Sequence, residues 1–151
     1  MATNPSTPVF QPPTTVERAF NRLFGFLLGL GFGMKHNYLL QVRGRKSGRL
    51  YSTPINLLET GAKRYLVAPR GRTQWVRNAE AAGEIMLKKG RSRQTYRLRP
   101  VADAEKPALL KAYLDSFKTT VQRYFPVPAG SAAERFASIA ANYPVFELTQ
   151  K

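Results

Sequence analysis

"NYLLQVRGRKSGRLYSTPINLLE", residues 37–59, is the stretch that decides the fold. Its halves, 37–43 and 50–59, are rich in β-formers. A short link holding two glycines joins them, which predicts a β-hairpin. The link carries Arg45, Lys46 and Ser47 between Gly44 and Gly48, with Arg43 and Arg49 on either side. Cations crowded into one turn repel each other, so the turn asks for an anionic partner. Glycines let backbone amides converge on an anion without a Cβ in the way. Lys46 adds a point charge, Ser47 a hydroxyl donor and Arg45 a bidentate fork.

Downstream, "RYLVAP" (64–69) reads as a strand and "GRTQ" as a loop. Thr73 is placed to cap a short helix, "QWVRNAEAA", which Gly83 ends. "EIMLKK" and "RSRQTYRLRPV" form a second hairpin around Gly90-Arg91. Within it Thr95, Arg97 and Arg99 alternate with Tyr96, Leu98 and Pro100, the period-2 mark of a half-buried strand. A long helix is expected from Asp103 through Phe125 and a short one over "SAAERFASIAANY". "PVFELT" (144–149) closes the chain as a strand. Strands arriving in hairpins, rather than singly between helices, predict an α+β fold: a mainly antiparallel split barrel with attached helices, not a parallel doubly wound sheet.

Upstream, residues 1–13 hold four prolines and no periodic apolar pattern, which reads as a flexible arm. Thr14 and Glu17 make a capping box, so a helix is expected over 14–34, within one domain spanning 14–151. Its apolar part, Phe24 to Met34, is 11 residues long, against roughly 20 for a membrane span. Such a helix is buried or interfacial. Gly25, Gly29 and Gly33 fall on one face, suited to close packing or to shallow insertion in lipid. Arg18, Arg22 and Lys35 suit an anionic surface. The chain is expected in the cytoplasm, with this helix in peripheral contact with the inner face of the membrane.

The 151 residues suit one domain with a real core, and the formal net charge of +15 points to an anionic partner. No cysteine is present, which excludes thiolate nucleophiles, disulfides and Cys-based zinc sites. His36 is the only histidine, which counts against multi-His metal sites and His-triad catalysis, and its residue type alone assigns it no role. Chemistry is left to hydroxyls, cations, backbone amides or a cofactor. No metal is expected. Sixteen cations lie between Lys35 and Arg99 against three glutamates. Most form an ordinary solvated face. They are scattered over several strands without a recognition helix or an RNA-binding aromatic signature, so no nucleic acid partner is expected.

"GRKSGRLYSTPINLL", then "YLVAPRG", "QWVRNAEAAG" and "NYPVFEL", taken in order, resemble the deazaflavin-dependent nitroreductase and quinone reductase family. The resemblance implies a split β-barrel related to flavin-mononucleotide-binding proteins. It implies coenzyme F-420 as cofactor, a 5-deazaflavin with a phosphate and an oligoglutamate tail, with FMN as the alternative. Carried over position by position, it assigns Arg45, Lys46, Ser47 and Gly48 to the phosphate and tail. Pro54 and Asn56 would line the ring pocket. Ala68, Pro69 and Arg70 match the loop along the deazaflavin, and Trp75 and Asn78 match a Trp-x-x-Asn close to the ring. A lone Trp at a helix start is ordinarily core packing; the resemblance gives Trp75 its second role. Arg70 stands near the place of a usual Lys, and Asn56 replaces an aromatic residue of some members. Both departures bear on substrate.

The implied reaction is hydride transfer to a small hydrophobic quinone, nitro compound or enone. Tyr113, Tyr124 and Tyr143 are candidates for a substrate wall, with Tyr143 the candidate catalytic residue. Two other readings stand beside this one: a non-catalytic split barrel carrying flavin, fatty acid or haem, and a basic nucleic-acid-binding module. Oligomeric state is not legible.

Overall fold

The structure, a computed structural model, describes residues 35–151. The expected arm, the helix over 14–34 and its contact with lipid fall outside the described residues. Among those described, no helix is long and apolar enough to cross a membrane.

Strand β1 (Asn37–Arg43) pairs with β2 (Leu50–Asn56) in seven unslipped antiparallel pairs, from Asn37 opposite Asn56 to Arg43 opposite Leu50. The basic link closes the hairpin as expected. Gly44 N–H donates to the Arg49 carbonyl at 2.7 Å and Gly48 N–H to the Gly44 carbonyl at 2.9 Å. Gly48 takes φ +72°, in the left-handed region that glycine enters without a Cβ penalty.

The remaining strands are β3 (Leu58–Thr60), β4 (Lys63–Val67), β5 (Glu84–Lys89), β6 (Ser92–Pro100) and β7 (Val145–Gln150). They join one sheet in the order β2-β1-β5-β6-β7-β4-β3, and every neighbouring pair is antiparallel. β2 and β3 occupy opposite edges of that sheet, yet Leu57 alone separates them in sequence. The sheet must therefore curl until its edges meet at Leu57. This corrects the expectation of one continuous strand over 50–59. Leu57 is buried and its N–H donates to the His36 carbonyl at 2.8 Å, so the chain leaves one edge and crosses to the other.

The curl makes two cores. Inside the barrel lie Leu40, Val42, Leu66, Ile85, Leu87 and Phe146, with Val76 and Ala79 from helix α1 (Gln74–Ala82). Outside β4 and β7 lie Tyr65, Val67 and Val145, covered by Leu110, Leu114 and Phe117 of helix α2 (Lys106–Val121) and by Phe136 and Ile139. Alternation along β4 thus sends Leu66 one way and its neighbours the other, which is why Tyr65, Leu66 and Val67 are buried without a break. On β6, Tyr96 is buried and Arg97 and Arg99 are exposed as the alternation predicts, but Pro100 is exposed too, past the end of the covered face.

Two helices differ from expectation. The long one is three pieces: a 3-10 turn at Asp103–Glu105, α2, and a 3-10 turn at Gln122–Tyr124, with Phe117 off helical geometry at φ −121° and ψ 24°. The break lets buried Phe117 turn its ring to His36, 4.6 Å away between centroids. The short helix, Ala133–Asn142, is 3-10. Three residues per turn put Phe136 and Ile139 on the same side, where both are buried.

Asp115 fastens α2 to the loop ahead of that segment. It accepts from Gly130 N–H at 2.7 Å and from Lys111 Nζ at 2.9 Å, and Lys111 also donates to the Ser131 carbonyl at 2.9 Å. The Lys111 hydrogen bond, then that of Gly130, holds the Asp115 carboxyl below its usual range. The folded state therefore binds fewer protons here than the unfolded chain. The stabilisation is full above the ordinary carboxylate pKa and disappears as pH falls through the depressed one. Asp115→Asn is expected to flatten the acid limb of a stability-versus-pH curve while changing its neutral-to-basic shape little. Denaturant midpoints measured from pH 7 down to pH 3 test this; an unchanged acid limb counts against the fastening.

Candidate functional site

One side of the barrel opens on a cavity of about 1490 Å³. Five segments wall it: His36 with β1, the basic turn with β2, the loop at 67–73, the start of α1, and the second half of α2 with the turn that follows. Arg45, Lys46, Ser47, Pro54, Asn56, Ala68, Pro69, Arg70, Trp75 and Asn78 all lie on its wall. Gly48 does not; its part is the bend that presents its neighbours.

The basic turn is held in place by α1. Buried Asn78 accepts from the Arg45 backbone N–H at 3.0 Å and from Arg45 Nη1 at 2.8 Å, and Gln74 Oε1 accepts from Nη1 at 2.9 Å. Asn78 thus reaches the turn rather than standing free near a ring pocket. Two neutral amide side chains orient the Arg45 fork without cancelling its charge. Lys46 and Ser47 are exposed. Ser47 Oγ accepts from Arg49 N–H at 3.2 Å. A Cβ on Gly44 would stand 2.6 Å from the Tyr51 ring and 2.9 Å from Ser47 Oγ, so glycine is what lets the turn fold this tightly.

On the facing wall, Ala68 is buried, with its N–H on the Pro144 carbonyl at 2.9 Å. The Arg70 guanidinium sits 5.7 Å from the Tyr124 ring centroid. Thr73 occupies the N-cap position of α1 but makes no cap hydrogen bond. Its hydroxyl is buried on the cavity wall without a partner among the described residues. Half-buried Trp75 lines the cavity and packs 6.4 Å from Phe146, so one ring belongs to both the wall and the core.

Away from the turn, the wall holds the amides of Asn37 and Asn56 and the Tyr113 hydroxyl, with Lys118 and Arg123 from α2 and the turn that follows. Asn37 Nδ2 donates to Asn56 Oδ1 at 2.6 Å, and the Asn56 amide also hydrogen-bonds the Tyr113 hydroxyl. Burial pushes the Tyr113 hydroxyl far up, only partly opposed by Asn56, so it is a protonated phenol at every physiological pH. Tyr124 lines the cavity and accepts at its hydroxyl from Arg123 Nη2 at 2.7 Å. Tyr143 does not reach the wall. Its ring stacks on Phe125 at 4.6 Å, its hydroxyl donates to the Tyr124 carbonyl at 2.6 Å, and burial has pushed it up to about 12. As the candidate catalytic residue it is corrected to a core residue that holds the Gln122–Tyr124 turn. His36, given no role from sequence, does line the cavity. Nothing in its local sequence marks it, because Phe117, its ring neighbour, lies 81 residues away.

These residues fit an elongated ligand with an anionic end. The cationic turn would meet phosphate or carboxylate, the Thr73 hydroxyl, without a partner among the described residues, would offer a hydrogen bond from the wall, and aromatic and aliphatic groups would face a ring system. Among the described residues no cluster of His, Asp or Glu is arranged to hold a metal ion.

A curled antiparallel sheet with such a cavity defines the class, a split-barrel protein built around a flavin-like cofactor. The chain matches the sequence model for F-420H(2)-dependent quinone reductase over residues 15–127 and belongs to that family. No curated protein matches it in sequence. Among solved structures it is similar to an F-420-H2-dependent reductase (FDR-A), with 18% identity and a TM-score of 0.51 over 76% of this chain and 95% of that one. It is similar to a protein described as a domain-swapped dimer, with 15% identity and a TM-score of 0.54 over 90% of this chain and all of that one. It also resembles HutZ, the heme storage protein of Vibrio cholerae, with 10% identity and a TM-score of 0.53 over 78% of this chain and 82% of that one. At these identities the likeness is one of fold. Family membership makes the protein an oxidoreductase whose cofactor is coenzyme F-420, and it decides against a non-catalytic carrier.

Proposed function

We propose that the cavity binds reduced coenzyme F-420 and that the chain uses it to reduce a small planar hydrophobic acceptor, a quinone first and a nitro compound or enone by the same geometry. One observation carries the reading: ten residues between positions 45 and 78, from the basic turn, β2, the loop at 67–73 and the start of α1, converge on one cavity whose wall carries Arg45, Lys46 and Arg70 beside Trp75 and Tyr113. When bound, the cofactor supplies two electrons as a hydride from its deazaflavin ring.

The chain's own tasks are binding, orientation and exclusion of water. Arg45 and Lys46 take the phosphate and acidic tail, with Ser47 as hydroxyl donor. Ala68, Pro69 and Trp75 give the ring a flat apolar bed. Pro54 and Asn56 bound it from β2, and Asn78 keeps the turn in register with α1. Arg70, over Tyr124, closes the mouth between loop and α2.

Binding is expected to weaken with salt, because exposed charges are screened over about 8–10 Å at 0.1–0.15 M ionic strength. Titration with F-420 at two salt concentrations, beside a deazaflavin fragment lacking phosphate and tail, tests this. The fragment should bind weakly and with little salt dependence. Equal affinities for fragment and whole cofactor would rule out the role given to the turn. Oxidation of the reduced cofactor by a quinone, a nitroarene and an enone in parallel then ranks the acceptors.

A further inference from the structure

His36 has no part in the roles above, yet it stands on the cavity wall at the end away from the basic turn. The seven residues of β1 separate the two ends, roughly 23 Å of extended chain. Its backbone carbonyl accepts from Leu57 N–H at 2.8 Å, at the point where the barrel closes, so its position is pinned by the fold. Its ring lies 4.6 Å from Phe117 at an interplanar angle of 44°. Neither imidazole nitrogen has a hydrogen-bond partner among the described residues. The same end of the cavity holds Asn56 and Tyr113.

Burial, with Lys89 adding to it, holds the imidazole below its usual pKa. Lys89 is the charged group that acts on it. That ammonium donates to the Lys35 carbonyl at 2.6 Å and sits 5.0 Å from the Tyr38 ring centroid. Phe117 on α2 contributes no charge. A neutral imidazole carries one N–H donor and one acceptor nitrogen. A quinone that takes up a hydride gathers negative charge on a carbonyl oxygen, and a donor placed at that oxygen stabilises the charge.

We propose that His36, beside the Phe117 ring and the Asn56 amide, forms the acceptor subsite, with the imidazole N–H hydrogen-bonding a quinone carbonyl oxygen. This rests on the reading that F-420 occupies the cavity from the turn inward. The balance is simple: the quinone gains two electrons and one proton as hydride, water supplies the second proton to the oxygen, and hydroquinone leaves. His36 stays neutral throughout and donates a hydrogen bond, not a proton.

Because the chain has one histidine, its imidazole signals in a protein with isotope-labelled histidine are unambiguous by NMR. Adding a naphthohydroquinone, the product form, is expected to move them in the intact chain, with and without F-420. His36→Phe is expected to lower kcat/KM for a naphthoquinone about ten- to a hundredfold and to leave the F-420 Kd within about twofold, the scale of context effects on a contact not made. His36→Asn, which keeps a donor, should recover part of the loss. Imidazole signals that stay still at saturating naphthohydroquinone, or full kcat/KM in His36→Phe, overturn the proposal. Failure of F-420 to bind the unaltered chain would instead overturn the cofactor site, and the imidazole shift would still decide the subsite.

Discussion

Alanine at Phe136 is expected to destabilise the protein by about 3–5 kcal/mol, the usual cost of emptying an aromatic site in a packed core. Phe136 is fully buried, with its ring edge-on to Phe125 at 6.2 Å. Phe125 in turn stacks on Tyr143 and lies 6.3 Å from Tyr113, which lines the cavity. The void would therefore open directly behind the site. Against a net stability of about 5–15 kcal/mol, such a loss leaves a marginal fold. At about 2–4 °C per kcal/mol for a chain of this size, Tm should fall by roughly 10 °C. Ser138, exposed on the same 3-10 segment, is the control: Ser138→Ala should move Tm hardly at all. A Phe136→Ala protein that melts within 2 °C of the parent, a shift worth less than about 1 kcal/mol, would mean that this segment is not packed as described.

The second large effect is on binding. On the proposed placement of F-420, removing both Arg45 and Lys46 side chains would delete two charge-assisted contacts to its anionic end, each worth about 1.5–3 kcal/mol. At 1.4 kcal/mol per tenfold, the Kd should rise by at least about a hundredfold. The fold should survive, because both residues are exposed and the Arg45 N–H bond to Asn78 is kept by alanine. Unchanged affinity in a folded double variant would remove the turn from the cofactor site. Lys46→Ala alone should account for a smaller part, since Arg45 is the group that Gln74 and Asn78 orient in advance.

How much of this was legible beforehand divides along chain distance. The two hairpins, 37–56 and 84–100, were readable because β-formers, alternation and turn glycines lie within a few residues of one another. Charge alone called for an anionic partner, and the ordered match of four motifs pointed to the family. The helix after Asp103 was readable as a helix but not as a broken one. Its break at Phe117 satisfies a contact with His36, and no window on the sequence contains both. Tyr143 misled for the same reason. Its residue type suits proton transfer, but stacking on Phe125 commits it to the core.

The sequence by itself determined the charge, the pairing of neighbouring strands, the cofactor class and ten of the residues that line the cavity. Local propensity, periodicity and motif order act between residues close in the chain, and these are what a sequence displays. Only the tertiary structure decided that strands β2 and β3 stand on opposite edges joined through Leu57, and that Asn78 holds the basic turn. It alone brought His36, Asn56, Tyr113 and Phe117 to one end of the cavity. Those placements follow from the curl of the sheet and the burial of side chains against distant partners, free energies shared by the whole fold and written in no single segment.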